Sequence, residues 1–265
     1  MTPRFIGLKR TLASVLQSWP IGKAIGALYG DVIPFHGLPI DVRGTGIRVA
    51  NKASLLWGMY ESAEYRFVRL FLQTDLPVIE LGSSIGAVSS AIARHLDPGQ
   101  RLMCVEANPA LIPALQRNLR RNASHLRVGV VHAAIAYDAE TINFHVSADT
   151  LVSRIGGGGH GDDPVVPATT LTALYEGFGK MPYQLVADIE GSELDILSRD
   201  VGALRSCQAM ILELHESCRD GVTYTKDHLR QLAREAGFQV VSEYGAVVAC
   251  RRNSPLKDCH GTQSD

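Results

Sequence analysis

Apolar residues at 5, 8, 12, 15, 16 and 19 recur at the spacing of one helical face. After Pro20 the helix can restart and run to Gly30. Residues 34–50, PFHGLPIDVRGTGIRVA, alternate polar with apolar positions between glycines and predict a short hairpin. Residues 54–73, SLLWGMYESAEYRFVRLFLQ, are strongly helix-periodic, with Ser54 as the expected N-cap. From residue 77 the pattern becomes strand, turn, helix. Strands are predicted at 77–82, 101–109, 126–135, 183–191 and 207–215, with an additional alternating strand at 141–146. Helices are predicted at 87–96, 109–122, from SELDILSR after Gly191, and at 226–237, the last closed by Gly237. Residues 238–252 read as two strands around Gly245, a hairpin.

Apolar strands alternating with helices require a parallel sheet covered on both faces. The expected fold is therefore α/β: a doubly wound, mostly parallel seven-stranded sheet with a C-terminal antiparallel hairpin and an N-terminal helical extension. The expected divisions are an extension over 1–53, a main domain over 54–252 and a loose polar tail over 253–265. Four consecutive glycines in GGGGHG, 156–161, predict a mobile surface loop or a lid over a site.

The chain has 265 residues, 46% hydrophobic and 20% charged, within the range of globular proteins. A net charge of −1 gives no whole-molecule field to attract nucleic acid, which is not expected as a partner. Five cysteines without a C-x-x-C pair favour a reduced, cytoplasmic setting. His215 and Cys218 have ligand-like spacing, but two ligands do not make a zinc site. No apolar run of about 18 residues predicts a membrane span. In the N-terminal segment Lys9 and Arg10 interrupt any signal-peptide core. Its helix is expected to pack on the main domain or on a second copy, which fits a homodimer. A membrane-surface helix is the less favoured reading.

In doubly wound sheets, ligands bind beyond the carboxyl ends of the strands. The first strand ends in ELGSSIG, with Glu80, Gly82, Ser83, Ser84 and Gly86. Glycine at 82 permits a tight turn, and the following helix offers free N–H groups. Glu106, followed by Ala107, ends the second strand 24 residues after Gly82, where an acid can accept hydrogen bonds from two ribose hydroxyls and disfavours a 2′-phosphate. Ala133, Ala134 and Ile135, at the end of the third strand, suit an adenine edge. The fourth strand ends in VADIEG. If Gln184 pairs with Ala209, Asp188 falls beside Glu213 and Glu190 beside His215, gathering three carboxylates and an imidazole at one rim.

Together WGMYESAE, VIELGSSIG, VEANP, VPATTL and VADIEGSELDIL resemble the FkbM-type S-adenosylmethionine-dependent methyltransferases over residues 55–215. The most specific element is Asp-x-Glu-Gly-x-Glu, matched at Asp188, Glu190, Gly191 and Glu193. Ser83 and Ser84 stand where that family usually has Ala and Asn. The resemblance implies a Rossmann-like class I methyltransferase fold and S-adenosylmethionine as cofactor. It places Glu80, Gly82, Ser83, Ser84 and Gly86 around the methionine moiety, with Tyr60 and Glu61 closing the site from above. Core packing is the alternative for Tyr60.

The rim acids then suit O-methylation of a small-molecule or sugar hydroxyl, because an alcohol becomes a good nucleophile only when its proton leaves. Asp188 is the first candidate for base or acceptor ligand and His215 the second. Glu190 and Glu213 would orient either one or hold a divalent metal. An NAD-dependent dehydrogenase shares the glycine loop and the ribose acid, but it would want G-x-G-x-x-G and a proton-relay Tyr or Lys. A cofactor-binding scaffold without catalysis is the third reading.

Overall fold

The computed structural model describes residues 19–146, 153–155, 164–219 and 221–253. The expected first helix before Trp19, the GGGGHG stretch and the tail after Asn253 lie outside the described residues. In chain order, α1 (Trp19–Tyr29), the hairpin β1 (Val32–Phe35) and β2 (Leu38–Asp41), α2 (Val49–Leu56) and α3 (Ser62–Phe71) precede the sheet. Then follow β3 (Val78–Leu81), α4 (Ala87–His95), β4 (Arg101–Glu106), α5 (Ile112–Asn122), β5 (Arg127–His132), β6 (Ala134–Ile135), β7 (Thr141–Val146), β8 (Ser153–Ile155) and β9 (Val165–Thr169). The chain continues through α6 (Leu171–Gly177), β10 (Tyr183–Ala187), α7 (Glu193–Arg199), α8 (Val201–Leu204) and β11 (Cys207–Glu213). It closes with β12 (Ser217–Arg219), β13 (Val222–Tyr224), α9 (Lys226–Glu235), β14 (Phe238–Tyr244) and β15 (Val247–Arg252).

Seven strands form the main sheet in the order β14-β15-β11-β10-β3-β4-β5. The pairings β5–β4, β4–β3, β3–β10 and β10–β11 are parallel; β15 runs antiparallel to both of its neighbours. The direction of winding changes between β3 and β10, which places the switch point where their loops diverge. Central strands β3 and β10 are buried throughout, as strands covered on both faces must be. Ile79, Leu81, Leu185, Met210 and Leu212 pack under α6 to α9, while Val78, Leu102, Val186 and Ile211 pack under α3 to α5. The hairpin β1–β2 buries Ile33, Phe35 and Ile40 against Ile85, Ala87 and Ala91 beside α4.

Three sequence expectations are corrected. The N-terminal hairpin occupies Val32–Asp41, and the segment after it is the helix α2 rather than a second strand. The helix expected over 54–73 is two helices. Gly58, at φ +62°, terminates α2 in a left-handed conformation, with its N–H on the Leu55 carbonyl and that of Met59 on Ser54. Ser54 is inside α2, donating to the Ala50 carbonyl, so it is not a cap. The strand over 141–146 forms as expected, but in a separate small sheet ordered β6-β9-β7-β8.

Candidate active site

A cleft opens beyond the carboxyl ends of β3, β4 and β10. The β3–α4 turn forms one wall. Gly82 sits at φ +82° so close to the β10 loop that a Cβ would overlap the carbonyl oxygen of Asp188. The Gly82 and Ser83 N–H groups both reach the Val105 carbonyl, at 2.9 and 3.0 Å. Ser84 is left-handed at φ +49°, and its N–H donates 2.7 Å to Oε2 of Glu106. Oε1 of Glu106 accepts from the Asn108 N–H at 2.7 Å. Glu106 is thus held between the glycine turn and the tip of β4, and it lines the cleft with Ala107. Burial pushes its carboxyl up while these N–H bonds pull it down.

Ala133, Ala134 and Ile135 line the opposite side with Leu111 and Phe144. Ser83 and Gly86 support the turn from behind. A Cβ on Gly86 would press on Leu115 at 2.9 Å. Ser83 Oγ is shielded from solvent and has no hydrogen-bond partner. Glu80 lies beneath the turn, fully buried, and accepts from Ser89 Oγ at 2.5 Å. It organises the turn from below rather than facing the cleft.

Glu61 reaches the cleft from the N-cap of α3, itself left-handed at φ +43°. Its carboxyl is pushed well above the usual range by burial and by the nearby charges of Asp188 and Glu64. Tyr60 does not line the cleft and sits beside the glycine turn. Its ring packs edge-on against Phe35 with centroids 6.4 Å apart, and its hydroxyl lies 3.4 Å from Ser84 Oγ.

The β10–β11 register pairs Gln184 with Ala209 and Ala187 with Leu212, so the chain past Ala187 brings Asp188 alongside Glu213. His215 Nε2 lies 3.8 Å from Asp188 Oδ1 and 3.6 Å from Glu190 Oε2; Nδ1 lies 3.0 Å from Glu193 Oε1. Asp188 and Glu190 also line the cleft. The expected rim of carboxylates around one imidazole is therefore assembled in space. Burial raises the Asp188 carboxyl well above its usual range, and the Glu213 and Glu190 charges add to this, while His215 opposes it. Burial alone would lower the His215 imidazole. The Glu193 hydrogen bond and the surrounding carboxylates outweigh it and bring the value to about 9.

Four contributors carry roles that the sequence reading does not assign. Glu193 is the buried anchor of the rim, accepting the N–H groups of Ile189 (3.1 Å) and Gly191 (2.9 Å) as well as facing His215. Its position in the Asp-x-Glu-Gly-x-Glu signature was the available signal. Glu64, buried on α3, is brought to about 7 chiefly by desolvation. Its spacing on the helix resembled an ordinary surface acid. Leu111 and Phe144 line the cleft from segments whose apolar residues read only as core.

Five parallel strands with the order reversing at β3 and β10, an acid at the end of β4 and a cleft across the switch point define a Rossmann-like class I methyltransferase architecture. The chain belongs to the FkbM methyltransferase family, whose domain model, described as "Methyltransferase FkbM domain", matches residues 80–240. The dehydrogenase reading is thereby set aside. Among curated proteins, none matches the sequence. Solved structures similar to the chain include a ribosomal protein L11 methylase from Lactobacillus delbrueckii subsp. bulgaricus (12% identity, 74% of this chain and 80% of that one, TM-score 0.45). Fibrillarin from Aeropyrum pernix with natively bound S-adenosyl-L-methionine is similar at 12% identity, covering 72% and 73%, TM-score 0.43. Magnesium protoporphyrin IX methyltransferase from Synechocystis PCC 6803 with bound S-adenosylmethionine matches at 10% identity, covering 74% and 78%, TM-score 0.42. At such low similarity they bear on neither substrate nor mechanism. No helix among the described residues is long and apolar enough to cross a membrane.

Proposed function

We propose that the protein transfers the methyl group of S-adenosylmethionine to a hydroxyl of a small molecule or sugar. The observation that carries this is that Glu106 and Asp188 line one continuous cleft. The residues present fit the cofactor: an acid fixed by two backbone N–H groups suits a ribose diol, and the apolar wall of Leu111, Ile135 and Phe144 suits a flat adenine. When bound, S-adenosylmethionine supplies an electrophilic methyl carbon on a neutral-leaving sulfonium.

The chain's own residues then have three tasks. Glu106 and Ser84 hold the nucleoside and methionine ends, with Ser83 supporting the turn from behind. Glu61, Asp188 and Glu190 line the reacting end with carboxyl groups, whose ionisation a cation arriving there favours. Asp188 takes the acceptor proton as the new O–C bond forms. Its raised proton affinity makes it a stronger base, and a cationic group arriving beside it restores the ionised form. Alignment of acceptor and methyl donor supplies the larger share of the rate, on the order of 7–11 kcal/mol in the best intramolecular cases.

The test is methyl transfer by Asp188→Asn across a panel of hydroxylated acceptors, with cofactor affinity measured in parallel. A fall of about 10²–10⁴-fold in turnover with affinity retained is expected for a lost base. Undiminished turnover removes Asp188 from this role. Tight cofactor binding by the wild type with no turnover on any acceptor supports the scaffold reading instead.

A further inference from the structure

We propose that Asp188, Glu213 and His215 form a binding site for one divalent transition-metal ion of the Mn²⁺ class. Each offers one donor atom, and the three donors lie within 4.8 Å of one another. Donors around a six-coordinate ion at bond lengths of about 2.1 Å stand roughly 3 Å apart when adjacent and about 4.2 Å apart when opposite. The 3.8 Å between His215 Nε2 and Asp188 Oδ1 falls between these values. It is too long for a hydrogen bond.

Two further observations point to a ligand. First, Oδ1 of Asp188 is shielded from solvent and has no hydrogen-bond partner, although the side chain as a whole is 32% exposed through its other atoms. A carboxylate oxygen in that position is costly unless something positive meets it. No lysine or arginine among the described residues forms an ion pair with Asp188 or Glu213. Second, His215 is already arranged as a metal ligand is. Its Nδ1 faces the Glu193 carboxylate at 3.0 Å, and Glu193 is in turn fixed by the Ile189 and Gly191 N–H groups. In the imidazolium the ring's second proton sits on Nε2; when a metal ion displaces it, the carboxylate behind Nδ1 fixes the tautomer that presents Nε2 as a lone pair, the usual arrangement behind a ligating histidine. The Glu193 anchor also comes from the same left-handed turn, Glu190 at φ +52° and Gly191 at φ +113°, that positions Asp188.

Two carboxylates and one imidazole, with no thiolate, suit a hard divalent ion that also accepts nitrogen, which favours Mn²⁺ over Mg²⁺. The ion would stand at the cleft wall formed by Asp188, placed to hold an acceptor oxygen. The metal site goes beyond the hydroxyl-acceptor reading and is tested without turnover.

The experiment is titration of the full-length, chelator-treated protein with Mn²⁺ alone, followed by electron paramagnetic resonance, with pulsed measurement of ¹⁴N coupling. One Mn²⁺ per chain with a directly bound nitrogen is expected. His215→Gln should abolish the nitrogen coupling, and Asp188→Asn and Glu213→Gln should each weaken binding at least tenfold. Glu193→Gln should weaken it about 10–100-fold, as loss of a supporting carboxylate does, while Glu243→Gln, in an exposed pair with Arg230, should leave it unchanged. Thermal melts of each variant separate lost binding from lost fold, and a variant that does not fold is replaced by the next of the set. No stoichiometric Mn²⁺, Mn²⁺ bound without nitrogen coupling, or affinity unchanged in Asp188→Asn and Glu213→Gln would overturn the site. Retained cofactor binding by metal-free protein would show that such a failure leaves the cofactor reading standing.

Discussion

Gly82 and Asp188 meet backbone to backbone: there is no room for a Cβ at position 82 because the carbonyl oxygen of Asp188 occupies that space. This contact ties the glycine-turn wall of the cleft to its acidic rim, and it gives a clean comparison. Gly82→Ala carries both a left-handed backbone (φ +82°) and a clash, whereas Gly99→Ala carries nearly the same φ, +85°, with open space around it. Gly99→Ala should cost about 1–2 kcal/mol of stability, the left-handed penalty alone. Gly82→Ala should cost more than that and weaken binding of S-adenosylhomocysteine at least tenfold. Thermal melts and calorimetric titration check both. Equal effects of the two substitutions would show that the close approach is unimportant.

Glu106 is the second test of the cleft. Its two oxygens accept from Ser84 and Asn108, and each retains a lone pair for a ligand hydroxyl. Glu106→Gln removes the charge and turns an N–H₂ toward one of those backbone donors. Hydrogen bonds to charged groups contribute about 1.5–3 kcal/mol, so nucleoside binding should weaken roughly 10- to 100-fold. Calorimetric titration with S-adenosylhomocysteine reads the change directly, and binding at wild-type affinity would place the ribose elsewhere.

The strand-end residues were readable because the period-2 and continuous apolar runs locate strand ends, and strand ends locate ligands in this topology. The pairing of Gln184 with Ala209 followed from aligning two apolar runs, and the meeting of Asp188, Glu213 and His215 follows from it. The break between α2 and α3 was missed because the apolar period continues through it. Gly58 was the stop signal, and its left-handed conformation is what places Glu61 over the cleft. Phe144 was not readable as a cleft residue, since periodicity places it on a strand without saying that this strand belongs to a separate small sheet beside β6. The positive φ of Glu61, Ser84 and Glu190 was equally invisible, because none is a residue type that favours that region.

Those three left-handed residues all line the cleft. Strain retained at non-glycine positions around one cavity is characteristic of sites that trade stability for function. Glu190→Asn relaxes the backbone, since asparagine tolerates the left-handed region, and removes one negative charge from a crowded rim. A gain of about 0.5–1 kcal/mol in stability together with at least tenfold lower turnover is the expected pair of outcomes. Urea unfolding and steady-state kinetics on the same preparation decide it. Lower stability would show that the Glu190 carboxylate stabilises the fold by more than its strain costs.

Asp41 gives the pH dependence. It ends β2, with its N–H on Asn118 Oδ1 at 2.7 Å and its carbonyl accepting from Asn118 Nδ2 at 3.0 Å; the same Asn118 amide reaches Ile85 in the glycine turn at 2.8 Å. The hairpin therefore braces the glycine turn from behind through Asn118. The Arg43 side chain, hydrogen-bonded to the Asp41 carboxylate, holds it at about 2, against burial and with help from Arg117. A carboxyl lowered in the folded state contributes stability in full above its ordinary value of 3.8, and that contribution is lost as pH falls from there through about 2. Asp41→Asn should cost on the order of 1–2 kcal/mol at pH 7, where the charged hydrogen bonds are intact. The difference from wild type should stay constant from pH 7 to 5 and narrow steadily below pH 4, as the unfolded carboxyl takes up a proton that the native carboxylate still resists. Urea midpoints at pH 7, 5, 4 and 3 test the sign. A difference that widened on acidification would mean that the Asp41 carboxyl is raised rather than lowered in the folded protein, and that Arg43 is not its controlling partner.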